Sequence, residues 1–146
     1  MASTIRRIRA RLLKGMFQAH AAIYEWTDGR VGGNIGLAAL LLTTTGRVSG
    51  QPRTTPLVYF RDGDRYVVVG SDGAARKDPQ WHRNLLASPK ATIRVGRKTL
   101  PVIASVAAGA ERQRLWAIGG DVNPMWKTYQ TRTEREIPVV VLTPIA

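Results

Sequence analysis

The sequence predicts a small α+β domain built on antiparallel strands, and three observations predict it. Six short segments, 38–44, 56–61, 65–71, 91–97, 99–107 and 137–143, are rich in Val, Ile, Leu, Thr and aromatic residues and are bounded by Gly, Pro or Asp. Turn residues join neighbours in that series, Asp62-Gly63-Asp64 in one hairpin and Gly96-Arg97-Lys98 in another, where Gly96 is either the turn or a bulge. Three helix-length segments interrupt the strands singly. That order favours a small barrel or α+β sheet with peripheral helices over a doubly wound parallel sheet.

The chain opens with an amphipathic pattern over residues 4–24. Ile5, Ile8, Leu12, Met16, Ala19 and Ile23 recur at helical spacing, with Arg7, Arg11 and Lys14 on the other side and Arg6 and Arg9 able to snorkel outward. Two readings fit: a basic helix that lies on an anionic membrane surface, and a helix packed on its own domain with a solvated back. Residues 28–34, Asp-Gly-Arg-Val-Gly-Gly-Asn, form a natural linker; no strand precedes them, so they are no dinucleotide fingerprint. Residues 1–30 are thus expected to form a basic helix and linker, and 31–146 the barrel domain.

The first strand runs into Thr43-Thr44-Thr45-Gly46-Arg47-Val48-Ser49-Gly50-Gln51-Pro52-Arg53-Thr54-Thr55-Pro56-Leu57. Glycines let backbone N–H groups approach an oxyanion, and arginine supplies a planar fork suited to phosphate or carboxylate, so the stretch has the chemistry of an anion cradle. The same residue types also make an ordinary hairpin loop with two solvated arginines.

Further on, Asp78-Pro79 predicts a helix start, with Asp78 as N-cap and Pro79 at the first helical position, running to Ala87 before Ser88-Pro89. Gly109 to Ile118 predicts a second helix, closed by Gly119-Gly120. Asn123-Pro124 opens a third, which places Trp126 and Tyr129 on one face. An aromatic pair at that spacing serves a core as readily as a site.

Composition excludes several classes of chemistry. There are no cysteines, hence no disulfide, thiol nucleophile or thiolate metal site, and the two histidines, His20 and His82, stand in no ligand spacing, so no metal is expected. No apolar run reaches the roughly 18 residues that span a bilayer, and no secretory signal is evident, so the chain is expected to be cytoplasmic. The net charge of +12, from 22 basic against 10 acidic residues, attracts polyanions of any kind: nucleic acid, anionic lipid or a polyanionic cofactor. No recognisable nucleic-acid-binding motif accompanies it.

Taken in order, T-T-x-G-R-x-S-G-x-x-R-x-x-P-L at 43–57, Ser71-Asp72-Gly73, Lys77-Asp78-Pro79-Gln80-Trp81, Asn84-Leu85, Trp126, Tyr129-Gln130 and Ile137-Pro138-Val139 resemble the deazaflavin-dependent nitroreductase family, over about residues 35–146. The resemblance implies a split β-barrel, similar to the FMN-binding pyridoxamine-phosphate-oxidase-like fold, and coenzyme F420 as hydride donor to an electron-poor acceptor: a quinone, nitroaromatic or activated alkene. It implies that Arg47, Ser49, Arg53, Thr55, Pro56 and Leu57, with Val48 and Thr54 in the same stretch, hold the cofactor's phosphate and side-chain region. Val69, Gly70, Ser71 and Asp72 would meet the heterocycle edge, and Gln80, Trp81 and Asn84 would contact the cofactor from the following helix. Tyr129 and Trp126 would stand on the acceptor side, Tyr129 being the better proton donor. Val48, Asp72 and Trp126 depart from family residues, often Lys, Lys and Tyr. A homodimer, an FMN-dependent relative and a basic nucleic-acid-binding module remain as further expectations to weigh.

Overall fold

The computed structural model describes residues 37–145. The expected basic helix over 4–24 and the linker over 28–34 lie outside the described residues. Six strands, β1 (Ala39–Thr45), β2 (Pro52–Asp62), β3 (Arg65–Val69), β4 (Lys90–Val95), β5 (Lys98–Val106) and β6 (Val139–Pro144), close into an antiparallel barrel in the order β1-β2-β3-β6-β5-β4, with β4 returning to β1. Among the described residues three α-helices, α1 (Gln80–Ala87), α2 (Gly109–Val122) and α3 (Met125–Thr131), decorate it.

Strand alternation sorts the side chains into two cores. Leu40 and Leu42 of β1 point inward with Tyr66 and Val68 of β3, Ile93, Val102, Val140 and Leu142, and Trp81 and Leu85 of α1 plug one end. Outward-facing Phe60, Val67, Val69, Val139 and Val141 meet Leu115 of α2 and Trp126 of α3 in a second core. Strands β3 and β6 are therefore buried on both faces, which is why Tyr66-Val67-Val68-Val69 and Val139-Val140-Val141-Leu142 read as unbroken apolar runs. Each such Val or Leu contributes about 1.5–3 kcal/mol by leaving water.

Within the described residues the predicted strands and helices are present, and several boundaries differ for physical reasons. Strand β2 starts at Pro52, paired with Thr45, and the Thr43 and Thr54 hydroxyls meet at 2.8 Å, so the loop is only 46–51. Helix α1 begins at Gln80 after an extended Pro79, and Asp78 makes no cap because its carboxylate is bound by Arg135. Helix α2 runs through Gly119-Gly120 to Val122. That glycine pair is a packing notch: a Cβ on Gly119 would lie 3.1 Å from Phe60 and 3.3 Å from Trp126. Finally, β3 stops at Val69 and β6 starts at Val139, with the Gly70 N–H donating to the Pro138 carbonyl just beyond. Gly96 has φ +60 within a two-residue hairpin turn, as its freedom allows.

Candidate cofactor site

The loop between β1 and β2 is folded on itself. Gly46 donates to the Gln51 carbonyl and accepts from Gly50, which has φ +71, while the Ser49 hydroxyl accepts from the Gln51 N–H. A Cβ on Gly46 would stand 2.8 Å from the Ser49 hydroxyl, so only glycine closes the loop this tightly. Arg53 donates to the same hydroxyl at 3.3 Å from the exposed start of β2. Thr54 is exposed beside it, and Thr55, Pro56 and Leu57 are half-buried as the strand enters the barrel wall. At the loop tip, Val48 is 92% exposed.

Arg47 is directed differently. Its backbone N–H and its guanidinium both donate to Oδ1 of Asn84 on α1, at 3.2 and 2.9 Å, and the Asn84 amide donates to the Thr44 hydroxyl at 3.1 Å. Asn84 is 3% exposed. In the fold it forms a buried bracket that fixes Arg47 against α1. Trp81 is likewise buried in the barrel core, its ring edge-on to that of His82, while Gln80 stays exposed at the helix start.

After Val69, which is buried, the backbone changes hand. Ser71 is right-handed (φ −70, ψ −41), and Asp72, Gly73 and Ala74 follow at φ +42, +59 and +67. A right-to-left change turns successive N–H groups toward one side, a nest suited to anionic or carbonyl oxygens. Two non-glycine residues at positive φ cost about 1–2 kcal/mol each, so the segment requires outside support. Arg135 provides it, donating to the Ser71 and Ala75 carbonyls and to the Asp78 carboxylate at 2.7–2.8 Å. Asp78 also lies 3.5 Å from His82 Nδ1, and burial pushes the His82 pKa down, against the pull of Asp78 and with the push of Arg135.

Helix α3 rests against the 72–74 turn. Its Tyr129 is half-buried at the edge of the outer core, whereas Trp126 is 4% exposed and packs on Phe60 with ring centroids 6.1 Å apart. Trp126 thus shapes the seat of α3, and Tyr129 is the more open of the two rings. Loop 46–51, turn 71–75, the start of α1 and α3 therefore gather at one end of the barrel. Among the described residues no cluster of His, Asp and Glu could hold a metal ion.

A family model described as F420H2-dependent quinone reductase matches residues 16–144. The chain belongs to this family. An F420H2-dependent quinone reductase of Mycobacterium tuberculosis is 45% identical over 133 residues, 88% of this chain and 89% of that protein. Among solved structures, an F420-H2 dependent reductase superposes with a TM-score of 0.66 at 36% identity, over 71% of this chain and 92% of that one. A second, described as a domain-swapped dimer, gives 0.69 at 31% identity, over 94% and 98%. The quinone reductase family thus accounts for the barrel, which is of the split type, and for dependence on reduced F420.

The residues present fit that cofactor. An exposed cationic loop at 47–53 suits a phosphate-bearing tail, and the nest at 71–73 suits the oxygens along a heterocycle edge. Of two supporting residues, Arg135 carried no signal in the sequence, and Gln130 stood only in the Tyr129-Gln130 pair of the resemblance. The Gln130 amide accepts from the Ile137 N–H and donates to the Arg135 carbonyl, tying α3 to the segment that carries Arg135.

Proposed function

We propose that this protein reduces a quinone by two electrons at the end of the barrel bounded by loop 46–51, turn 71–75 and α3. What supports this is a bracketed cationic loop and a backbone nest at the same end of the barrel, on a chain of the F420H2-dependent quinone reductase family. Arg47, Val48, Ser49, Arg53, Thr54, Thr55, Pro56 and Leu57 hold the phosphate and side-chain region of F420; Val69, Gly70, Ser71 and Asp72 line its heterocycle, with the exposed Gln80 beside them. Reduced F420, when bound, supplies a hydride.

The chain's own residues then do three things. The loop anchors the anionic tail, so the reactive end is placed by the barrel rather than by diffusion. The nest orients the heterocycle edge. Tyr129 presents a hydroxyl on the acceptor side, where a proton must reach the reduced quinone oxygen to give the hydroquinone; Trp126 fixes the helix that carries it. A nitroaromatic or activated alkene is the expected secondary acceptor class, being electron-poor in the same way.

Residues 4–24 add a location to the proposal: a basic helix on the cytoplasmic face of a membrane would bring the site to a lipid-soluble acceptor. Full-length protein that ignores vesicles of phosphatidylglycerol at low salt sinks that part alone. The swapped dimer among its relatives makes a homodimer the expected assembly. The function itself is tested by titrating the full-length protein with F420, FMN and FAD while following tryptophan fluorescence, beside Arg47→Ala/Arg53→Ala. Selective, tight binding of F420 that weakens in the variant supports the proposal, and preference for FMN replaces it with a flavin-dependent relative. Binding of none of the three, with strong affinity for DNA, replaces it with a nucleic-acid-binding module.

A further inference from the structure

We infer that Arg135 is a positioning residue for the cofactor: its guanidinium holds the left-handed run at 72–74 in the conformation that forms the nest. This inference rests on the assignment of the nest to F420. All three guanidinium nitrogens are engaged, Nη2 with the Ser71 carbonyl at 2.8 Å, Nε with the Ala75 carbonyl at 2.7 Å and Nη1 with Asp78 Oδ1 at 2.8 Å. The two carbonyls stand on either side of Asp72, Gly73 and Ala74, so one side chain staples both ends of the run at positive φ. The side chain is 13% exposed, and every hydrogen bond it makes goes to residues 71–78. Neither hydrophobic core includes it. Its own backbone is held in turn by Gln130 of α3, at 2.8 Å. The planar fork is what the geometry uses; lysine offers one point charge and cannot span both carbonyls.

A residue of this kind sets how often the free protein is ready to bind, not how fast a bound cofactor reacts. If the turn is correctly formed in a tenth of the molecules, the apparent Kd rises roughly tenfold while saturating cofactor restores the competent state. The test uses full-length wild type, Arg135→Gln, Arg135→Lys, Ala74→Gly and the Arg135→Gln/Ala74→Gly double variant. F420 Kd is read from tryptophan fluorescence, and kcat and KM from menadione reduction at saturating cofactor.

Arg135→Gln is expected to raise the F420 Kd roughly tenfold, with kcat and the menadione KM within about twofold of wild type. Arg135→Lys falls between, and serves in place of Arg135→Gln if the latter does not fold. Glycine at 74 removes the cost of positive φ, so the double variant is expected to recover at least about threefold of the lost affinity. General destabilisation is separated by Asp62→Asn at the opposite end of the barrel, which should lower stability and leave the F420 Kd unchanged. An unchanged Kd in Arg135→Gln, a fall in kcat with Kd intact, or no recovery in the double variant overturns the inference. Failure of wild type to bind F420 overturns the cofactor assignment itself, and with it this role; wild-type binding with undiminished binding by both Arg135 variants overturns the role alone.

Discussion

Replacing Asn84 by leucine separates the bracket from the barrel. The side chains are of similar size, so packing at the end of α1 is nearly conserved, while three hydrogen bonds vanish: two received from Arg47 and one given to the Thr44 hydroxyl. The bond to the buried Thr44 is worth about 1 kcal/mol, and the pair from Arg47 about 1–2 kcal/mol once discounted for the exposure of that arginine. A total of about 2–3 kcal/mol corresponds to a fall in Tm of roughly 7 °C at about 3 °C per kcal/mol for a domain of this size. F420 affinity should fall as well, since Arg47 loses its anchor, by roughly fivefold to tenfold. Asn84→Asp is the control. Its carboxylate accepts from both Arg47 donors and from the Thr44 hydroxyl, which can rotate to donate, so it should stay within about 1 kcal/mol of wild type near neutral pH. Thermal melts and cofactor titrations of the three proteins decide it. Asn84→Leu with unchanged Tm and affinity, or Asn84→Asp as damaged as Asn84→Leu, would refute the bracket.

Two adjacent glycines should respond oppositely to alanine. At Gly119 a Cβ meets the buried rings of Phe60 and Trp126, so overpacking of about 1–3 kcal/mol outweighs the helix-propensity gain of about 1 kcal/mol. At Gly120 its three nearest neighbours all belong to the tail of the exposed Lys127, which can move aside, and Gly120→Ala should raise stability by about 0.5–1 kcal/mol; chemical denaturation measures both. His82 has a folded-state pKa below its ordinary 6.5, chiefly through burial, so the unfolded chain takes up the proton first. Stability should therefore be full above that value and fall as pH drops through it toward the depressed folded-state value, with a shallower fall in His82→Asn melts. Asp62, held far below the usual carboxylate range by hydrogen bonds from Arg114 and Arg65, links the β2–β3 hairpin to α2. Asp62→Asn should cost about 1 kcal/mol, with the deficit shrinking at about 1 M salt, as equilibrium unfolding at two ionic strengths would show.

The barrel was legible in the sequence because strand chemistry is local. Val, Ile and Thr runs ended by Gly63 and Gly96, both at positive φ, mark the hairpins directly. The strands β3 and β6 were legible as strands, but that both of their faces are covered comes from the packing of α2 and α3. The cationic loop was legible too, through Gly46, Arg47, Ser49 and Arg53. What the sequence could not reveal are the side chains that reach across the fold. Arg47 meets Asn84 across 37 residues and Arg135 meets Ser71 across 64, and neither spacing has a periodicity to betray it. Asp78 followed by proline looks like a cap, but Arg135 competes for its carboxylate. Gly119-Gly120 looks like a helix stop for a similar reason: glycine chosen to admit a neighbouring ring is indistinguishable, in one dimension, from glycine chosen for its φ. Trp126 and Tyr129 share a helix face, as their spacing requires, yet Phe60 covers only the first of them.

The reaction proposed for this barrel end is hydride transfer from reduced F420 to a quinone. The most direct measurement is anaerobic rapid mixing of the full-length protein and reduced F420 with menadione, with reduced FMN and NADPH as parallel donors, following reappearance of the oxidised-donor absorbance. Fast, menadione-dependent oxidation of reduced F420 alone, lost in Arg47→Ala/Arg53→Ala at low cofactor and regained as cofactor is raised, is the result expected. Oxidation no faster than in buffer, or equal rates with reduced FMN, would contradict it.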